Sequence, residues 1–413
     1  MTLSPFPAVP LDIEDDLAVL PFAAFSRQFA QALAPLIRFT LGPALRRHPK
    51  WGRRMPFDVL PYGSAPSSGH VCRPDILLTA QGPKVCEMDF VPAGRGWLLA
   101  ALPRESDRLA VLEEFAKWYA ALGEDRVYYA TGTVTQSREE TGLFARAMRD
   151  LVGFDIRAVN IDTDRIGTDG LVDRLFYRSE LAQPLTLGRH RVITAEPWLD
   201  SKMIFAVLHD REMTALLEES LGRENLSFLR QTCVESYLVE DVREGAREDI
   251  RTADGGAFPG LQDRGEWVMK ATEVENYWSW GSRSVVLGRT HTQEQWDAYL
   301  RGTSPHQKML GHRPVLQRFA ESLDFASLWN AVIDGSLETS DPTALGKSRD
   351  LTTRRPARAP VVGRLGISFL VSHVTGEVGA SPLGNLCLRQ NPLTHMEGDA
   401  LSIAFRPSPR AAR

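Results

Sequence analysis

Arg73-Pro74-Asp75 and, a short way on, Glu87-Met88-Asp89 gather three carboxylates and an arginine into one stretch of chain. Glu87 and Asp89 are two apart, a spacing that puts both on one face of a strand. Ile76-Leu77-Leu78 and Val85-Cys86 flank a turn at Gln81-Gly82-Pro83. This pattern predicts a β-hairpin with Asp75, Glu87 and Asp89 at one end of a sheet. Three convergent carboxylates repel one another unless a cation sits among them. Mg²⁺ suits such a set, taking one or two carboxylates, several waters and the phosphates of a nucleotide. The stretch therefore reads as a magnesium–nucleotide site, with Cys86 pointing into the core.

Lys270 closes the apolar run Glu266-Trp267-Val268-Met269, and Gly281-Ser282 opens a turn that leads into Val285-Val286-Leu287. Amides of a glycine–serine turn can cover phosphates while a lysine supplies a point charge. A plain hairpin would look the same. The strand Val315-Leu316-Gln317 could meet an adenine edge or simply fill the core. Arg364 could reach a phosphate or face solvent. Gly346-Lys347-Ser348 is no P-loop, because Asp341 stands where the first glycine is needed. Arg95, in the loop Gly94-Arg95-Gly96, offers a fork for a substrate carboxylate. His395 reads as a hydrogen-bonded turn histidine, and Trp278 and Trp280 as pocket walls or packing lids. Glu139-Glu140 and Asp107-Arg108 read as exposed helix charges.

A chain of 413 residues, 43% hydrophobic and 24% charged, can bury a core large enough for two or three subdomains. Its formal net charge of −4 argues against a nucleic-acid partner. The four cysteines, Cys72, Cys86, Cys233 and Cys387, form no close metal-type pair and are expected reduced. No apolar run is long enough to span a membrane. Glu14-Asp15-Asp16 stand where a signal peptide would be apolar, so the expectation is a cytoplasmic protein.

The elements that would carry the site follow from periodicity. Phe29, Leu33, Leu36 and Ile37 predict a helix over Phe25–Leu41, kinked or broken at Pro35. A helix over Asp107–Leu122, capped by Ser106, precedes a strand at Arg126–Ala130, a helix at Glu139–Leu151 and a strand at Phe154–Ile161. This alternation predicts an α/β layer with a parallel sheet. Asp173–Arg178 reads as a strand end, and Lys202–Leu208 and Met213–Leu221 as helices. Strands are expected at Glu266–Lys270, Val285–Gly288, Val315–Phe319, Val361–Val374 and Leu401–Phe405. The stretches Glu240–Gly265 and Leu337–Pro360 read as loops.

The order of these segments resembles the circularly permuted ATP-grasp ligases, the group that includes the glutathionylspermidine synthase-like enzymes. The resemblance runs from about Phe57 to about Pro407. It rests on Arg73-Pro74-Asp75 with Glu87 and Asp89, Lys270 with Trp280-Gly281-Ser282-Arg283-Ser284-Val285, Val315-Leu316-Gln317, and His395-Met396-Glu397-Gly398-Asp399-Ala400. The carboxylates precede the lysine, as the permuted order requires. The resemblance implies an α/β (α+β) fold in four parts. These are an N-terminal helical segment (1–56), the carboxylate hairpin (57–105), an inserted α/β subdomain (106–210) and a nucleotide-binding region (211–413).

It further implies that Asp75, Glu87 and Asp89 hold Mg²⁺, although the last position is usually asparagine in the family. Arg73 is similar to the arginine that steadies the transferred phosphoryl group. Lys270, Gly281, Ser282 and Arg283 resemble the lysine and closing loop over the phosphates of ATP. Gln317 and Phe319 fall in the adenine-hinge segment, and Arg364 on a strand that binds substrate or phosphate. The implied reaction joins a carboxylate to an amine, on an amino acid or small peptide, through an acylphosphate with release of ADP. A phosphotransferase using the same site and a non-catalytic nucleotide-binding partner protein are the alternatives.

Overall fold

The computed structural model describes residues 22–58, 67–102, 104–123, 126–132, 138–164, 166, 170–174, 190–194, 196–244, 263–272, 284–306, 310, 313–333, 356–357, 360–373, 376, 378–390 and 401–405. Among them are thirteen strands. In chain order they are β1 (Gly69–Thr79), β2 (Gly82–Asp89), β3 (Arg126–Thr131), β4 (Asp155–Asn160), β5 (Leu171–Arg174), β6 (Arg191–Val192) and β7 (Ser236–Leu238), then β8 (Trp267–Lys270), β9 (Val285–Leu287), β10 (Val315–Arg318), β11 (Val362–Ser372), β12 (Val378–Arg389) and β13 (Leu401–Phe405). They form three sheets, ordered β13-β12-β11-β1-β2, β7-β10-β8-β9 and β4-β3-β5-β6.

The expected parallel sheet is the last of these, where β3 pairs in parallel with both β4 and β5. The other two sheets are antiparallel. The carboxylate hairpin is thus part of an antiparallel sheet built from both halves of the chain. The turn lies one residue earlier than expected: Gly82 already belongs to β2, at φ 99°. Only glycine takes that conformation at no steric cost.

One core fills the space between one face of the five-stranded sheet and the helices Phe22–Leu41, Met203–His209, Thr214–Leu221 and Arg223–Thr232. Cys72, Ile76, Leu365 and Phe369 belong to it. Val71, Leu370 and Leu383 face the other way, onto the helices Glu105–Ala121 and Arg138–Val152 and the parallel sheet. A third core lies between the β8–β10 sheet and the helix Gln293–Arg301. That helix starts at a capping box formed by Thr292 and Gln295 and ends at Gly302, φ 73°.

Three local expectations are corrected. Pro35 neither breaks nor divides its helix, which runs unbroken from Phe22 to Leu41. A proline inside a helix costs about 3 kcal/mol, whereas burial of Phe29, Leu33, Leu36 and Ile37 contributes about 1.5–3 kcal/mol apiece. Ser106 is not a cap: the helix begins at Glu105, and Arg104, without a side-chain cap bond, precedes it. Gly94-Arg95-Gly96 is not a loop. Gly94, at φ 96°, opens the helix Arg95–Ala101.

Candidate active site

The hairpin register sets Asp75 directly opposite Glu87 and Arg73 opposite Asp89. On the neighbouring strand β11, Gly366 lies beside Asp75 and Arg364 beside Leu77. A Cβ at position 366 would come within 2.6 Å of Asn385 Oδ1 and 3.3 Å of Arg73 Cδ. A side chain there would displace both, so this glycine leaves room for polar groups beside the carboxylates.

Each carboxylate meets its own cation. Arg364 Nη1 donates to Asp75 Oδ2 at 2.6 Å, and Lys202 Nζ lies 2.8 Å from Glu87 Oε1. Arg73 Nη2 donates to Asp89 Oδ2 at 2.8 Å while its Nη1 donates to the Ala93 carbonyl at 2.7 Å. The other Asp89 oxygen accepts from the Val91 amide at 2.9 Å. Lys270 Nζ reaches the Cys86 carbonyl at 3.2 Å. Asp200, whose Oδ1 accepts from the Phe90 amide at 2.6 Å, also acts on Lys202, so four cations stand against four carboxylates.

The two antiparallel sheets meet at this point. The Val234 amide donates to the Val85 carbonyl at 3.0 Å, joining the edge of β2 to the segment that leads into β7. Lys270 pairs with Val315, and Val268 with Gln317, so these four residues share one face of their sheet. Met269 and Leu316, on the opposite face, fill that sheet's own core, whereas Val315 belongs to the main core shared with the hairpin. The face that carries Lys270 and Gln317 is the one turned to the carboxylates. Gln317 is 1% exposed, and neither its amide oxygen nor its nitrogen has a hydrogen-bond partner. Asp75 Oδ1 is likewise buried and unpartnered.

Electrostatics sharpen the picture. Burial works to raise the Glu87 carboxyl, but Lys202, Lys270 and Arg364 more than offset it and hold it at about 2. The same ion pair raises Lys202 against the opposing effect of its burial. Burial pushes Asp89 up despite Arg73, and pushes the Cys86 thiol up to about 11. Lys202 is charged at neutral pH, and Glu87 is ionised. Cys86, partly buried against the main core with Sγ 3.4 Å from the Asp75 carbonyl, is not a nucleophile at that pH.

Mg²⁺ needs one or two carboxylates when phosphates and waters supply the rest. Asp75, with its unpartnered oxygen, and Glu87, opposite it, meet that need; Asp89 has both oxygens engaged. Among the described residues no group of three His, Cys, Asp or Glu side chains is set to hold a metal ion.

Lys202 and Asn385 did not figure among the sequence-derived candidates. Lys202 is 7% exposed and stands directly before the apolar run Met203–Leu208. A lysine at the head of so apolar a helix was the available signal. Asn385 is 2% exposed on β12, a strand the sequence reading missed because Gly379, Pro382 and Gly384 look like turn residues. Phe319 is held by its amide to the Glu266 carbonyl, with Arg289 over its ring. Gly281, Ser282, Arg283, Trp278, Trp280 and His395 lie outside the described residues.

Two other expectations are overturned. Arg95 does not await a substrate: it is 3% exposed, and its Nη1 donates to Asp173 Oδ2 at 2.6 Å. The Tyr119 hydroxyl donates to the same oxygen at 2.7 Å. Glu140 is not a solvated helix charge. It is fully buried and accepts from the Gly96 amide at 3.3 Å, at the start of the helix Arg95–Ala101, where the dipole favours a carboxylate.

No known protein-family profile matches the chain, and no curated protein matches it. Among solved structures it is similar to a glutathione synthetase-like effector of Globodera pallida in its apo form. That likeness has 10% identity and TM-score 0.45, over 98% of this chain and 89% of the other. It is also similar to a protein of Methylobacillus flagellatus KT that bears the name of gamma-glutamylcysteine synthetase. There the identity is 9% and the TM-score 0.44, over 96% of this chain and 89% of the other. Likenesses this distant carry no argument about activity. Among the described residues no helix is long and apolar enough to cross a membrane.

Proposed function

We propose that the chain is an ATP-dependent carboxylate–amine ligase acting on an amino acid or small peptide. The carrying observation is the convergence of four cations, Arg73, Arg364, Lys202 and Lys270, on the hairpin carboxylates, with Asp75 Oδ1 and both Gln317 amide atoms buried and unpartnered. A triphosphate with its Mg²⁺ brings charges of both signs, which such a mixed set of cations and carboxylates can face.

Phosphoryl transfer asks a protein for positioning and charge neutralisation rather than for a nucleophile. Lys202 and Lys270, approaching from different elements, neutralise the phosphates. Arg73 and Arg364, fixed on adjacent strands by Asp89 and Asp75, face the transferred group. Gln317, with a free donor and a free acceptor, suits the edge of a base. Asp75 and Glu87 would hold Mg²⁺, which when bound neutralises charge on the phosphate oxygens. The activated carboxylate is then open to an amine, and the buried setting keeps water from it.

Release of ADP and phosphate, measured over a panel of amino acids singly and in pairs, tests the reading. Release that needs a pair, yields an amide and disappears in Lys202→Ala supports the ligase. Release with one substrate alone points to the phosphotransferase. Tight nucleotide binding with no turnover for any pair would sink both.

A further inference from the structure

Asp200-Ser201-Lys202 is a run of three residues, each of which holds a different part of the candidate site. The run lies between the short 3₁₀ turn Pro197–Asp200 and the helix Met203–His209. The Asp200 carboxylate takes the amide of Phe90, the residue that follows the end of β2. Lys202 Nζ meets Glu87 within β2. Ser201, between them, reaches the other antiparallel sheet. Its hydroxyl donates to the Thr272 carbonyl at 3.0 Å, two residues beyond Lys270 and the end of β8.

A hydroxyl has one proton to give and lone pairs to accept with, and this one uses both. It also accepts from the Met203 amide at 3.3 Å, one of the amides that a helix start leaves without an internal partner. Lys202 precedes the helix but makes no side-chain cap bond to it. Ser201 and Thr272 are 1% and 2% exposed, so water cannot readily replace their bond. Thr272 is fixed in turn, because its Oγ1 donates to the Arg313 carbonyl at 2.6 Å. These contacts close a ring. From Glu87 it passes through Lys202, Ser201, Thr272 and Lys270 to the carbonyl of Cys86, the neighbour of Glu87. In that ring the Ser201–Thr272 bond is the link between the two lysine-bearing segments of backbone. A lysine is a point charge on a flexible stem, so the place of its ammonium depends on how firmly its backbone is held.

We propose that Ser201 is a positioning residue for phosphoryl transfer, its hydroxyl setting the placement of Lys202 against Lys270 so that both ammonium groups face one phosphate chain. The proposal rests on the ligase reading for the reaction that the two lysines serve.

The test uses the full chain and the variant Ser201→Ala, with a melting curve verifying that the variant is folded. In steady-state kinetics kcat should fall by about tenfold or more, since small misplacements of a positioned group are costly, while the KM for ATP changes little. In a Lys202→Ala background the same substitution should cost little further, because the serine acts through that lysine. A second measurement does not need turnover: trace acetylation of lysines with acetic anhydride, read by mass spectrometry without nucleotide or magnesium. Lys202, 7% exposed, should label severalfold faster in Ser201→Ala, while Lys117, well exposed, keeps its rate. Asp173→Ala, which removes the partner of Arg95 instead, should leave the Lys202 rate unchanged. A Lys202 rate unmoved by Ser201→Ala overturns the proposal whatever the turnover, as does a kcat loss that stays undiminished in the Lys202→Ala background. Faster labelling in a chain that turns over no substrate pair supports the positioning and sinks the ligase reading alone.

Discussion

Two buried ionic clusters lie a few residues apart in the sequence and differ in how many cations they gather. Around Arg95 the charge is met by one carboxylate and a wall of rings, although Arg95 Nε and Glu140 Oε2 stay unpartnered. Asp173 and Tyr119 meet the guanidinium, and the rings of Phe115, Tyr129 and Phe144 surround it with centroids 4.9–5.7 Å away. Around Asp75 and Glu87 four cations from four elements converge on the carboxylates, and polar atoms of Asp75 and Gln317 stay unpartnered. Charge burial alone therefore does not mark a site. The Arg95 cluster joins the hairpin's exit to the parallel sheet, since Asp173 is on β5.

The comparison breaks most sharply at single charges. Lys202→Ala should cut amine-dependent phosphate release by about a hundredfold or more, the scale of losing one preorganised charge at a developing anion. Its thermal midpoint should change little, because Lys270 and Arg364 still face Glu87. Asp173→Ala should do the reverse. Leaving Arg95 buried without its carboxylate costs about 3–5 kcal/mol, read as a lower urea midpoint, while activity per folded molecule persists. Equal effects of both substitutions on stability and turnover would erase the distinction.

The hairpin and its carboxylates were legible because alternation and spacing act over a few residues. Ile76–Leu78 and Val85–Cys86 define strands, and the two-residue step from Glu87 to Asp89 defines a face. Residues joined by distant pairing were less legible. Lys202 meets Glu87 only through the packing of a helix that begins more than a hundred positions later. Arg95 and Glu140 look solvated in sequence because nothing local announces Asp173 or the buried helix start. Strand β12 was hidden by its own composition: Gly379, Pro382 and Gly384 are turn residues by propensity, and pairing with β11 overrides that propensity. The parallel sheet was readable from its β–α alternation, while the two antiparallel sheets, assembled from distant segments, were not.

Gln317 sharpens the same comparison at a smaller scale, since its effects on stability and binding should have opposite signs. A buried amide with neither atom bonded is a desolvation cost of about 1–3 kcal/mol in the empty protein. Gln317→Leu, similar in size and apolar, should leave stability equal or improved and weaken nucleotide binding by about tenfold or more. Calorimetric titration with ATP beside urea unfolding reads both. A variant that loses stability and binds as before would show that the amide serves the core.

The smallest expected effect belongs to a third buried pair, which tests whether unpartnered atoms always mean a ligand. His70 is fully buried on β1, with Nδ1 3.2 Å from Thr194 Oγ1 and its ring edge-on to His373 at 4.7 Å. Nε2 of each histidine is unpartnered. Phe90 also faces His70, and Glu196 and Arg38 act on His373. Burial, and then His373, hold His70 well below the ordinary imidazole value; burial lowers His373 as well. In the unfolded chain both titrate near 6.5. Below that pH the unfolded state takes up protons that the folded state refuses, so stability is complete above about 6.5 and declines as pH falls. The urea midpoint should drop between neutral and mildly acidic buffer, and His70→Gln, which cannot titrate, should flatten that drop. These histidines are neutral groups among uncharged neighbours except for Glu196 and Arg38, so a vacant nitrogen there costs far less than an unmatched charge. An unaltered slope in His70→Gln would transfer the acid sensitivity to another group and leave the histidine pair as packing alone.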